Sequence, residues 1–287
     1  MTATSPAPAH PQSVEYDDRE RSENFPVAMR LLPSVTREHL RRIYVVARHI
    51  DDLGDEAAGD RVRRLQEFRQ DVDVLFAGGT PETPCLRQLA PTVEECSIDR
   101  EWLHHLVDAN LQDQRVHEYA SFADLLDYCR LSADPVGRMV LAVFGRSSDE
   151  LFAPSDKICS ALQVLEHCQD VVEDFRAGRV YLPREDLSNA GCPSEELLEV
   201  RHASALRAVV LVQVRRARQL MQAGQSLITE LDGWARVAVA GYLAGGLATA
   251  DALERARGDV VRSTPRPRRV DVLRHLAGLL LSAERPS

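Results

Sequence analysis

Two stretches of this sequence set carboxylates into strongly apolar helical surroundings. In IYVVARHIDDLGDE (43–56), Asp51 and Asp55 are four residues apart and share a helix face, and Arg48 and Tyr44 extend that stripe upstream. LQVLEHCQDVVEDFRAGRVYLP (162–183) repeats the pattern with Asp170 and Asp174, which Glu166 and Gln163 continue towards the N-terminus. Ile43, Val45, Val46 and Ala47 mark the first helix as core-facing, as Val164, Leu165, Val171 and Val172 mark the second. Like charges gathered in such a setting are expensive unless they are paired or metal-bound. One acidic stripe alone is ordinarily a solvated face. Two stripes, each on an apolar helix with specific polar companions, favour a cavity across which they face each other. Magnesium suits that arrangement, because it takes oxygen ligands, keeps several waters, and is held by one or two carboxylates plus substrate phosphates. The chemistry implied is metal-assisted departure of a diphosphate.

The rest of the chain is read as helix. Strand-like alternation is nearly absent, and the 287 residues, 44% of them hydrophobic, can bury a large core. Helices are expected from a cap at Thr36 to about 56, over 60–76, and from a cap at Asp99 to about 118. Further helices are expected over 121–145 with a bend at Pro135, from a cap at Ser155 to near Gly178, and at 203–230, 234–256 and 270–283. Pro81, Pro84 and Pro91 make the connection between the second and third helices read as irregular. VAVAGYLAGGLATA (237–250) falls short of the ~20 apolar residues of a spanning helix. It reads as a buried helix in which Gly241, Gly245 and Gly246 admit a close neighbour. Residues 1–18, rich in Pro, Ser and Ala, read as a disordered tail, and 19–287 as one all-α domain.

A net charge of −9 with no basic stripe argues against a nucleic-acid partner. Six cysteines without a Cys-x-x-Cys pair suit no zinc module and read as reduced thiols, which together with the lack of a signal-like start points to the cytoplasm. His49 reads as packing beside the acidic site. His104, His105 and His117 read as surface residues, and Arg215, Arg216 and Arg218 as a solvated face.

Four segments carry a family resemblance: SENFPVA (22–28), YVVARHIDDLGDE (44–56), DYCRLSADPVGR (127–138) and QDVVEDFRAGRVYLP (169–183). Together they resemble the squalene/phytoene synthase family of head-to-head isoprenoid synthases over about residues 22–260. The first and third are most similar to its bacterial hydroxysqualene synthase branch. The resemblance implies a helical bundle around a central cavity and two or three magnesium ions held by Asp51, Asp55, Asp170 and Asp174, with Glu166 where the family usually has Asn. It implies Ser22 and Arg48 near the diphosphate, and Tyr128, Gln163 and Tyr181 in the cavity. Tyr44 and Arg179, which share the two acidic segments, join the substrate-binding set. Gln169, in place of a basic residue, supports the same branch.

The reaction implied is ionisation of presqualene diphosphate followed by water capture, giving hydroxysqualene for squalene and hopanoid synthesis without a nicotinamide cofactor. Condensation of two farnesyl or longer diphosphates to presqualene diphosphate, squalene or phytoene is the rival reaction. A non-catalytic prenyl-lipid-binding relative is the rival of another class, and the intact aspartates speak against it. An apolar product also implies peripheral visits to the inner membrane face and exchange with partner enzymes of squalene synthesis.

Overall fold

The computed structural model describes residues 32–55, 57 and 59–283. The expected tail and Ser22 lie outside them. Helix α1 (Ser34–Asp55) begins one residue after Pro33, so Thr36 sits inside its first turn and does not cap it. Its buried positions, including Leu40, Ile43, Tyr44, Ile50 and Gly54, recur at three- and four-residue steps. Asp60 caps α2 (Arg61–Phe76) by accepting from the Arg63 amide at 3.0 Å. The proline-punctuated connection that follows is in fact a helix, α3 (Pro84–Cys96). Pro84 stands in its first turn, where a missing amide proton costs nothing, and Cys85, Leu86 and Leu89 bury its inner face. Asp99 caps α4 (Arg100–Asp113), which stops five residues short of its expected end.

The expected bent helix over 121–145 is two helices, α5 (Phe122–Ser132) and α6 (Asp134–Val143). Pro135 lies in the first turn of α6 and so starts a helix where a bend was expected. Likewise α7 (Asp149–Gln169) begins well before Ser155, which is buried within it. The helix breaks at Asp170 and resumes as α8 (Val171–Arg176). Then come α9 (Arg184–Asn189), two single 3₁₀ turns, α10 (Ala203–Gly224), α11 (Ser226–Glu230), α12 (Gly233–Arg255) and α13 (Arg269–Ala283). There is no strand among the described residues, only an isolated bridge between Glu118 and Val180.

Helices α1 to α4 and α6 close around Ile43, Ile50, Phe68, Leu103 and Met139. A larger core around Ile158, Leu165, Val210 and Leu243 joins α7, α10 and α12 with their neighbours. A Cβ on Gly246 of α12 would overlap the Leu162 side chain of α7 and lie 3.0 Å from Met221 Sδ of α10, so this glycine is what lets three helices meet.

Two surface readings are corrected. His104 is buried, with Nε2 3.1 Å from Asp73. Arg216 pairs with Asp186 of α9 and lies 4.7 Å over the Phe122 ring, and Arg218 reaches Asp251 of α12 at 2.6 Å. Only Arg215 of that trio is exposed.

Candidate active site

Asp51 and Asp55 project from the last turns of α1, and α4 supplies their support. Asn110 donates to Asp51 Oδ1 at 3.2 Å, and Gln114 donates to the Gly54 carbonyl at 3.1 Å. Gly54 makes this approach feasible, since a Cβ there would overlap the Asn110 side chain. Arg48 stands over the same turn, 3.9 Å from Asp51 and 3.8 Å from Asp52. Tyr44 is buried one turn further back. His49 points the other way, with its ring 5.4 Å from Phe68 of α2. It therefore packs against α2, with Asp52 still close enough to oppose the lowering of its pKa by burial.

Asp170 occupies the break between α7 and α8, so the second pair does not ride on one continuous helix as its spacing suggests. The i+4 bonds on both sides persist: the Asp170 amide donates to Glu166 O at 2.9 Å and the Asp174 amide to Asp170 O at 2.8 Å. Beyond α8, the Arg179 amide returns to Asp174 O at 2.9 Å. The Arg179 guanidinium then donates to Asp55 Oδ1 at 2.7 Å. One arginine thus links the two acidic segments. Glu166 is exposed one turn before Asp170.

Next to this acidic end lies an aromatic wall. The His167 ring stacks on Tyr181 at 3.7 Å, and Tyr128 and Tyr119 lie 5.5 and 5.7 Å from the same Tyr181 ring. His167 joins the two regions, with Nδ1 3.7 Å from Asp174 Oδ2 and Nε2 3.3 Å from Gln163 Nε2. Tyr128 donates to Asp113 Oδ2 at 2.7 Å. The wall is held by the pairing of 180–184 with the segment after α4, through Val180 N to His117 O at 2.8 Å and Arg184 N to Tyr119 O at 2.9 Å.

The electrostatics follow from crowding. Desolvation, only partly offset by Asn110 and Arg48, pushes the Asp51 carboxyl up to about 6, although 46% of its side chain still meets solvent. Desolvation and then the neighbouring Asp174 and Glu173 charges push Asp170 up to about 6. Burial raises Asp113, Tyr119, Tyr128 and Tyr181 as well, so the phenols stay neutral.

Among the described residues, no three His, Cys, Asp or Glu side chains form a ready-made metal cage. The donors nevertheless fit a hard cation. They are paired carboxylates, and buried Asp174 Oδ2 has no hydrogen-bond partner among the described residues. Such a cation takes one or two carboxylates and completes its shell with water or phosphate. Asn110, Asp113, Gln114, Tyr119 and His167 are site neighbours that sequence reasoning missed. Asp113 and Gln114, three and four residues after Asn110 at the end of α4, were the available signal.

The squalene/phytoene synthase family model matches residues 18–275. The chain belongs to that family. Members of the squalene/phytoene synthase family are divalent-metal-dependent isoprenoid synthases of the prenyltransferase type. A hydroxysqualene synthase of Zymomonas mobilis is 31% identical over 205 residues, 70% of this chain and 68% of its own. A presqualene diphosphate synthase of Sinorhizobium fredii is 36% identical over 179 residues, 60% of this chain and 62% of its own. The crystal structure of squalene synthase HpnC from Alicyclobacillus acidocaldarius superposes with a TM-score of 0.77 at 37% identity, covering 85% of this chain and 93% of that one.

Proposed function

We propose that the chain ionises presqualene diphosphate and captures the resulting cation with water, releasing hydroxysqualene. The observation that carries this reading is adjacency: through His167, the acidic end is in direct contact with a wall of neutral aromatic rings. A reaction that begins by expelling diphosphate and continues through a carbocation needs those two environments side by side.

In this reading Asp51, Asp55, Asp170 and Asp174, with Glu166, hold two or three magnesium ions. Magnesium bound there supplies charge neutralisation for the departing diphosphate. Arg48 and Arg179 face diphosphate oxygens, with Arg179 exchanging Asp55 for the substrate, and Ser22 contributes a further contact. Tyr44 and Gln163 line the passage towards the hydrocarbon arms. The faces of Tyr128 and Tyr181 stabilise positive charge as the cyclopropylcarbinyl cation rearranges, and their neutral hydroxyls do not trap it as phenolates would. Water adds to the final cation, and its proton passes to released diphosphate or a nearby polar side chain.

The 36% identity to a presqualene diphosphate synthase favours a second reading, condensation of two farnesyl diphosphates. Incubation with magnesium and no nicotinamide separates the two. Presqualene diphosphate in ¹⁸O-labelled water should give labelled hydroxysqualene. Consumption of farnesyl diphosphate with presqualene diphosphate left untouched selects condensation. Binding of both without turnover selects a non-catalytic relative.

A further inference from the structure

The outer side of α13 carries an apolar stripe. Val270, Leu273 and Leu281 are 66%, 59% and 64% exposed. With exposed Ala277 they recur at three- and four-residue steps and so share one helix face. The opposite face is already in use, because Leu276, Leu279 and Leu280 pack into the larger core and Asp271 lies 2.8 Å from Arg255. A single exposed leucine needs no account, but an aligned stripe along the whole helix does.

Charge supplies the second observation. The chain as a whole is at −9, yet residues 260–275 hold Arg262, Arg266, Arg268, Arg269 and Arg274 against the single carboxylate of Asp271. Arg262 and Arg274 are drawn to Asp259 and Asp251, at 3.5 and 2.8 Å. Arg266, Arg268 and Arg269 are exposed and make no ion pair among the described residues.

We propose that this face docks the protein on an anionic lipid bilayer. Val270, Leu273 and Leu281 enter the headgroup boundary, and the three free arginines meet lipid phosphates. The stripe is too narrow for the roughly 800 Å² per partner that a stable protein interface buries. A helix lying in the plane of a membrane surface needs only a shallow apolar face with basic residues beside it. A second copy would bring its own charge of −9 to the contact. No helix among the described residues is long and apolar enough to cross a membrane, so the contact is peripheral. The inference does not depend on which diphosphate is consumed.

Co-sedimentation of the full chain with phosphatidylcholine vesicles, with and without phosphatidylglycerol, tests it. The wild-type protein should partition onto the anionic vesicles and leave them at high salt. Arg268→Gln with Arg269→Gln should weaken partitioning on the order of 10-fold, and Leu273→Ser with Leu281→Ser by a similar factor. Unchanged thermal unfolding would show that both variants are folded. The proposal is overturned if wild type ignores anionic vesicles or if the leucine variant binds as wild type does. It is equally overturned if light scattering shows a wild-type dimer that the leucine changes split.

Discussion

Asp170 sits where a helix breaks and two like charges crowd it, so Asp170→Asn removes repulsion as well as a proposed metal ligand. The variant should fold at least as well as wild type without metal, while turnover at saturating magnesium falls by ~10²-fold or more, the scale of losing a main electrostatic stabiliser. Steady-state kinetics beside thermal unfolding checks both halves, and wild-type turnover would remove Asp170 from the machinery. Asn110→Ala and Gly54→Ala address the support of Asp51 in different ways. Both abolish the Asn110–Asp51 hydrogen bond, but only the added Cβ forces an overlap. Both should lower kcat, as misplacement by about 1 Å can cost ~10²-fold. The urea midpoint should fall further for Gly54→Ala than for Asn110→Ala. Asp51 and Asp55 were legible because their spacing matches one helix face. Asn110 was not, because nothing in a sequence says that α4 crosses α1 at Gly54.

Among the elements, α1, α2, α12 and α13 lie within two residues of their expected bounds, the helix expected over 203–230 is divided into α10 and α11, and the proline-bearing segments were misread. Pro84 was taken as part of an irregular connection and Pro135 as a bend, and each lies in the first turn of a helix, while Pro91 is carried inside α3. Proline's missing amide is harmful in a helix interior and harmless at its start, and composition alone does not say which applies. The contact of α7, α10 and α12 at Gly246 yields a prediction at this scale. Gly246→Val must push Leu162 and Met221 aside, and overpacking of this kind costs about 1–3 kcal/mol. Urea unfolding should show that loss with the m-value unchanged.

For the molecule as a whole, the raised carboxyls couple stability to pH and metal. Asp51 and Asp170 ionise at about 6 in the fold, against 3.8 for an unperturbed carboxyl. Between those values the folded chain holds more protons than the unfolded one, so these two groups lower stability as pH rises, until both are charged above about 6. In the proposed function magnesium would compete with those protons. The rise in Tm on adding magnesium should therefore be largest near neutrality and shrink as pH falls through about 6, with chelator reversing it. A magnesium increment that is the same at both ends of that range would separate the metal from these carboxylates.

The Arg179–Asp55 bridge has a consequence for how binding begins. It spans 124 residues of chain and ties the loop after α8 to the last turn of α1. As a half-exposed ion pair it adds little to global stability. Its weight is entropic: the relative freedom of the two acidic segments has already been given up during folding, so a diphosphate bound as proposed would not have to gather them. Preorganisation of this kind raises affinity and leaves binding energy for the bond to be broken. Because the strap is one displaceable cation, it can let go when better-charged guests arrive, with the walls it aligned already in place.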